Sequence, residues 1–164
     1  MFSEVFQCAG LKTGLFTSPY IISYTDRIKI NGIDIPKPAL AKMAKRVKAD
    51  TDMHCDRENF SQFEITTAIA FLYFAEENCD IVVLETGLGG LLDSTNVIKT
   101  PVLTVIGSVD FDHTAILGDT LEKIAYQKAG IIKPHCPCVL SAGNDMKAVS
   151  YTHLRAHETT LQLV

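Results

Sequence analysis

With 164 residues, 47% of them hydrophobic, the chain is long enough to bury a real core and does not have the composition of a disordered protein. Its 15 Lys and Arg against 19 Asp and Glu, a formal charge of -4, supply no concentrated basic face, so nucleic acid is not an expected partner and small molecules are. No apolar run approaches the roughly 20 residues that span a bilayer, and Met1 opens no signal peptide, so no membrane association is expected. Cys8, Cys55, Cys79, Cys136 and Cys138 are an odd set without a CxxC pair. They imply neither a disulfide framework nor a zinc knuckle, and read as reduced thiols of a cytoplasmic protein.

Ser3 to Ala9 suits the end of a helix stopped by Gly10, with Thr13 to Thr17 as a short strand. Tyr24 to Ile35 alternates, and Asn31-Gly32 between Ile28-Lys-Ile30 and Ile33-Asp-Ile35 predicts a hairpin whose central residues take positive φ. Pro36 and Pro38 open a helix through about Lys48. A second helix runs from Ser61 to about Glu77, with Ser61 and Glu64 at capping-box spacing. Further strands are expected at Asp80 to Leu84, Val102 to Ile106 and Pro137 to Leu140, with a helix at Thr120 to Lys128. Apolar strand runs separated by helices indicate an α/β fold, a mostly parallel sheet flanked by helices. Ligands of such sheets collect beyond the carboxyl ends of strands. Val149 to Thr159 has neither period and resembles a translated sequencing adapter, so residues 149–159, with 160–164 open to the same reading, are set apart from a native domain of residues 1–148. His153 and His157 within it are read as coincidence and not as a metal pair.

Three polar groups stand just past predicted strands: Ser18, Glu85 and His113. A hydroxyl, a carboxylate and an imidazole can complete a divalent-cation shell with phosphate oxygens and water. Mg2+ is the natural occupant, and Mn2+ would accept the imidazole as readily. Read singly, each has a plainer explanation: a solvated strand end for Glu85, a loop histidine for His113, a cap before Pro19 for Ser18. Gly87, Gly89 and Gly90 match neither GxGxxG nor a Walker A loop, so they are weak evidence for a phosphate cradle. Leu91-Leu-Asp-Ser-Thr-Asn96 offers groups able to hydrogen-bond a heterocycle edge, or simply to cap the loop.

Several of these segments, taken in order, resemble one family. They are Thr17-Ser-Pro19, Arg27-Ile-Lys-Ile-Asn-Gly32, Phe63-Glu64, Leu84-Glu-Thr-Gly-Leu-Gly-Gly90 with Asp93-Ser-Thr-Asn96, Asp112-His113, and Glu122 through Pro134. Over residues 3–142 the chain is similar to folylpolyglutamate synthase/dihydrofolate synthase, the folate branch of the Mur ligase superfamily. The resemblance implies a partial P-loop-type ATPase domain, truncated at both ends. It implies ATP-dependent joining of L-glutamate to the carboxylate of dihydropteroate or tetrahydrofolate through an acyl phosphate, by a monomer. By resemblance Ser18, Glu85, His113 and Lys128 are metal-site residues, with Lys128 and His113 also catalytic and Lys128 carbamylated. Ser61, Gln62, Phe63 and Glu64, with Leu92, Asp93 and Ser94, match the substrate region, and Asn96 is assigned to the cofactor ATP. For Phe63 a place in the core, and for Lys128 an ordinary helix-end cation, remain the competing explanations.

Tyr20 and Leu91 depart from the family pattern, where histidine and arginine are usual. The family's phosphate-binding loop is expected upstream of Met1 and a second domain beyond the C-terminus, so the fragment is expected to be inactive alone and its sheet to expose an unpaired edge. Two other readings stay open: another Mur-type amino-acid ligase, and a non-catalytic folate- or nucleotide-binding remnant.

Overall fold

The computed structural model describes residues 1–53, 60–141 and 161–163. It divides into two compact units, Met1–Gly87 and Leu88–Val164. Cys55, His153 and His157 lie outside the described residues, as does all of 149–159.

In the first unit, helix α1 (Phe2–Cys8) closes where Gly10 takes φ 84°, and the Gly10 and Leu11 amides return to Gln7 and Phe6 carbonyls. Strand β1 (Thr13–Phe16) is buried almost throughout because it has neighbours on both sides. On one side stands the hairpin β2 (Ile28–Ile30) and β3 (Ile33–Asp34), turned by Asn31 (φ 49°) and Gly32 (φ 78°) as its sequence predicts. On the other, β4 (Ile81–Leu84) runs parallel, giving the order β3-β2-β1-β4. The hairpin makes this sheet antiparallel on one side of β1 and parallel on the other. Tyr24–Arg27, expected within the alternating strand, is instead a 3-10 turn. The Asp26 carboxylate imposes it by accepting the backbone amides of Ile21, Ile22 and Ser23, and these bonds, Ile22 foremost, hold its pKa below the usual value.

Helix α2 (Lys37–Asp52) starts on its prolines and outruns the expected end at Lys48 by one turn, with Lys48 paired to Asp52 at 2.8 Å. Helix α3 (Gln62–Glu76) carries both halves of the predicted capping box. Met43 and Val47 of α2 join Ile69, Ala70, Tyr73 and Phe74 of α3, with Phe16, Ile28 and Ile35, in one buried cluster.

The second unit has a parallel sheet in the order β5 (Thr104–Ile106), β6 (Cys138–Leu140), β7 (Leu161–Leu163). Strand β7 falls within the residues 160–164 that the sequence reading left open. Helices α4 (Thr114–Leu117), unpredicted, and α5 (Leu121–Ala129) complete the unit, whose core gathers Ile106, Val109, Leu117, Ile124, Ala125, Ala129, Ile132, Cys138 and Leu140. Cys136 and Cys138 are buried free thiols, and burial pushes the Cys138 pKa to about 11, which leaves it unreactive. Among the described residues no helix is long and apolar enough to cross a membrane.

Candidate functional site

The register of β1 and β4 builds the first part of the site. Phe16 lies opposite Leu84 in a parallel pair, so the chain leaves both strands at the same end. The Glu85 amide then donates to Phe16 O at 3.0 Å, and the Ser18 amide donates to Glu85 Oε2 at 2.9 Å. Ser18, half-buried before a cis peptide to Pro19, and Glu85, exposed, are thereby brought together as expected. Among the described residues this is the only hydrogen bond the Glu85 carboxylate makes, so one oxygen is spare. A hydroxyl and an exposed carboxylate are hard oxygen donors that leave room for water and phosphate oxygens, which suits Mg2+. The loop after Ser18 is set by Asp26, which the sequence reading missed although Ser23 and Asp26 stand at capping-box spacing. Arg27 lies 5.4 Å from the ring centres of both Tyr20 and Tyr24.

Around the start of α3, Ser61 Oγ and the Ser61 amide donate to Glu64 Oε2 at 2.6 and 2.7 Å. The hydroxyl's bond, then the amide's, depresses the Glu64 pKa. Glu64 and Ser61 therefore form a helix cap first, whatever else they touch. Gln62 is exposed, and its carbonyl accepts the Thr66 hydroxyl at 2.7 Å. Phe63 is half-buried, its ring 5.8 Å from that of Phe16, and a methyl group on Gly87 would stand 2.5 Å from its edge. This glycine lets the strand-end loop approach an aromatic ring, and no phosphate is needed to explain it.

In the second unit Gly90 and Gly130 serve the same end. A Cβ on Gly90 would lie 2.9 Å from the carbonyl oxygens of Gln127 and Lys128, and one on Gly130 would lie 2.4 Å from Leu91 Cα. Backbone meets backbone here, with the Leu91 amide donating to Gln127 O at 2.7 Å. Asp93 closes the loop: its carboxylate accepts the Leu88 amide at 2.9 Å, the Thr95 amide at 2.9 Å and the Thr95 hydroxyl at 2.6 Å. Asn96 Nδ2 donates to Leu91 O at 3.0 Å and Gly130 O at 3.1 Å. Ser94 opens the 3-10 turn Ser94–Val97 behind Asp93, and Leu92 is 88% exposed. Gln127 and Gly130, which flank Lys128, were missed as site-forming residues because their part is played by main-chain atoms.

Lys128 sits half-buried on the last turn of α5. His113 is exposed in the left-handed region (φ 49°) before α4, its Nε2 3.6 Å from Asp112 Oδ1. The expected metal set thus divides, with Ser18 and Glu85 in the first unit and His113 and Lys128 in the second. Among the described residues no three His, Cys, Asp or Glu side chains cluster as a metal site.

No family model matches the chain. It is 49% identical over 140 residues to dihydrofolate synthase/folylpolyglutamate synthase of Bacillus subtilis, covering 83% of this chain and 32% of that protein. Among solved structures, a folylpolyglutamate synthase in complex with AMPPCP and folate superposes with a TM-score of 0.91 at 37% identity, over 98% of this chain and 40% of the other. FolC of E. coli in complex with DHPP and ADP gives a TM-score of 0.88 at 28% identity, over 98% and 37%. Both solved structures share the mixed α/β architecture described above. Sequence and fold together place the chain in the folylpolyglutamate synthase/dihydrofolate synthase family, where part of the N-terminal domain fits the match. The chain spans from 22% to 36% of the length of curated relatives it matches.

Proposed function

We propose that this chain is part of an ATP-dependent ligase that joins L-glutamate to the carboxylate of dihydropteroate or tetrahydrofolate, acting as a cytoplasmic monomer. The observation that carries the reading is the Ser18 and Glu85 pair at the shared end of β1 and β4, with its spare carboxylate oxygen, in a chain whose relatives are named for this reaction.

The substrate carboxylate takes the γ-phosphoryl group of ATP, ADP leaves, and an acyl phosphate results. The glutamate amine attacks the acyl carbon, phosphate departs, and the amine gives up its proton. Mg2+ would neutralise charge on the transferred oxygens, with Ser18 and Glu85 as its candidate ligands in the first unit and, separately, His113 and Lys128 as candidates in the second. Carbamylation of Lys128 would convert its cation into an oxygen ligand of the kind such an ion takes. The exposed Gln62 and Leu92 and the half-buried Phe63 ring are the substrate-facing candidates, an aromatic face being suited to a flat heterocycle. In the first unit Ser61 and Glu64 support Gln62 and Phe63 through the α3 cap, and in the second Asp93 and Asn96 support the loop that carries Leu92 and Ser94.

The test is ADP release and product mass in the intact protein, with dihydropteroate and tetrahydrofolate offered separately. Glutamate-dependent ADP release with a product heavier by one glutamyl residue is expected for at least one of them, and the 164-residue chain alone is expected to form none. ADP release indifferent to both pterins would sink the proposal.

A further inference from the structure

We infer that Asn96 is a positioning residue for Lys128 and not a contact to nucleotide. The inference rests on the proposed function for the importance of Lys128, and on the geometry of the second unit for the role of Asn96.

Both hydrogens of the Asn96 amide are spent on main-chain carbonyls, Leu91 O at 3.0 Å and Gly130 O at 3.1 Å. Because both partners are acceptors only, the amide cannot be turned round, and its nitrogen has nothing left to donate to a heterocycle or phosphate. The two carbonyls it joins belong to different segments, the glycine loop and the end of α5. A second link, Leu91 N to Gln127 O at 2.7 Å, joins the same segments. Lys128 lies between the two anchored carbonyls, Gln127 O on one side and Gly130 O on the other. Its own carbonyl lies where a Cβ on Gly90 would stand 2.9 Å away, so the loop is pressed against the turn that carries the lysine. Asp93, bonded to the Leu88 amide and Thr95, holds the loop in the shape that lets Asn96 reach across. Fixing a reacting or ligand-bearing side chain through its backbone is what a supporting contact does in an active site.

Substitution separates this from a ligand contact. Aspartate keeps an acceptor at the position but sets a carboxylate against two carbonyl oxygens, whereas alanine merely leaves them unpaired. Asn96→Asp should therefore be worse than Asn96→Ala; a residue offering its Oδ1 to a ligand would show the reverse order. In the 164-residue chain, competitive lysine acylation read by mass spectrometry should show Lys128 labelled about threefold faster or more in Asn96→Ala, as local opening of its turn requires. Lys123, on the same helix and exposed, serves as the internal reference and should not change. In the intact ligase, kcat should fall about tenfold with KM for ATP little changed, and in a Lys128→Ala background Asn96→Ala should add nothing.

Should the variants fail to fold, the unsubstituted chain still decides by NMR. Slow exchange of both Asn96 side-chain hydrogens supports the inference; fast exchange overturns it. Unchanged Lys128 labelling, or a raised KM with kcat preserved, would also overturn it. Full ligation by Lys128→Ala would instead remove Lys128 from the proposed function while leaving the labelling result to judge Asn96.

Discussion

Two carboxylates eight residues apart in sequence, Glu85 at the end of β4 and Asp93 in the loop beyond, are used in opposite ways. Asp93 accepts three hydrogen bonds from its own loop, and Glu85 accepts one, from the Ser18 amide. A carboxylate whose oxygens are filled by backbone and hydroxyl donors is a structural part; one exposed at a strand end with an oxygen to spare is available to a cation. The difference divides one acidic and glycine-rich stretch into a carboxylate that closes its own loop and one left open to a ligand.

The comparison can be broken at several points. Asp93→Ala strips the Leu88 and Thr95 amides of their acceptor and should cost about 3 kcal/mol in urea unfolding, since charged acceptors of backbone donors are worth most when removed alone. Gly130→Ala drives a methyl group to 2.4 Å from Leu91 Cα and should cost about 2 kcal/mol by overpacking a contact that neither backbone can leave. Ser61→Ala removes the hydroxyl half of the α3 capping box and should cost about 1 kcal/mol. Its effect should also depend on pH. The Glu64 pKa is depressed in the fold, so its contribution is present above the ordinary glutamate value and lost as pH falls through the lower folded one. The difference between wild type and Ser61→Ala in thermal melts should therefore shrink on that acid limb. Glu85→Gln, on an exposed side chain with one bond, should change stability by no more than about 0.5 kcal/mol.

The features legible in the sequence are those set by neighbours along the chain. Asn31-Gly32 forms its turn and Ser61 with Glu64 forms its capping box because each depends on residues within four positions. Ser18 and Glu85, 67 residues apart, were also legible, since any two parallel neighbours place their carboxyl ends together. The glycines beyond Glu85 were not. Their reason is close approach to Phe63 and to the end of α5, contacts made by residues distant in sequence whose own side chains carry no matching pattern. Tyr24–Arg27 misled by its alternation, because the Asp26 carboxylate outweighs strand preference by capturing three amides.

The claim that Glu85 works while Asp93 holds is tested most directly by Mn2+ titration of the 164-residue chain, followed as paramagnetic broadening of backbone amides. At substoichiometric Mn2+ the Ser18 and Glu85 amides should broaden most strongly, and Glu85→Gln should abolish the broadening while leaving the fold intact. Broadening that survives Glu85→Gln undiminished would contradict it.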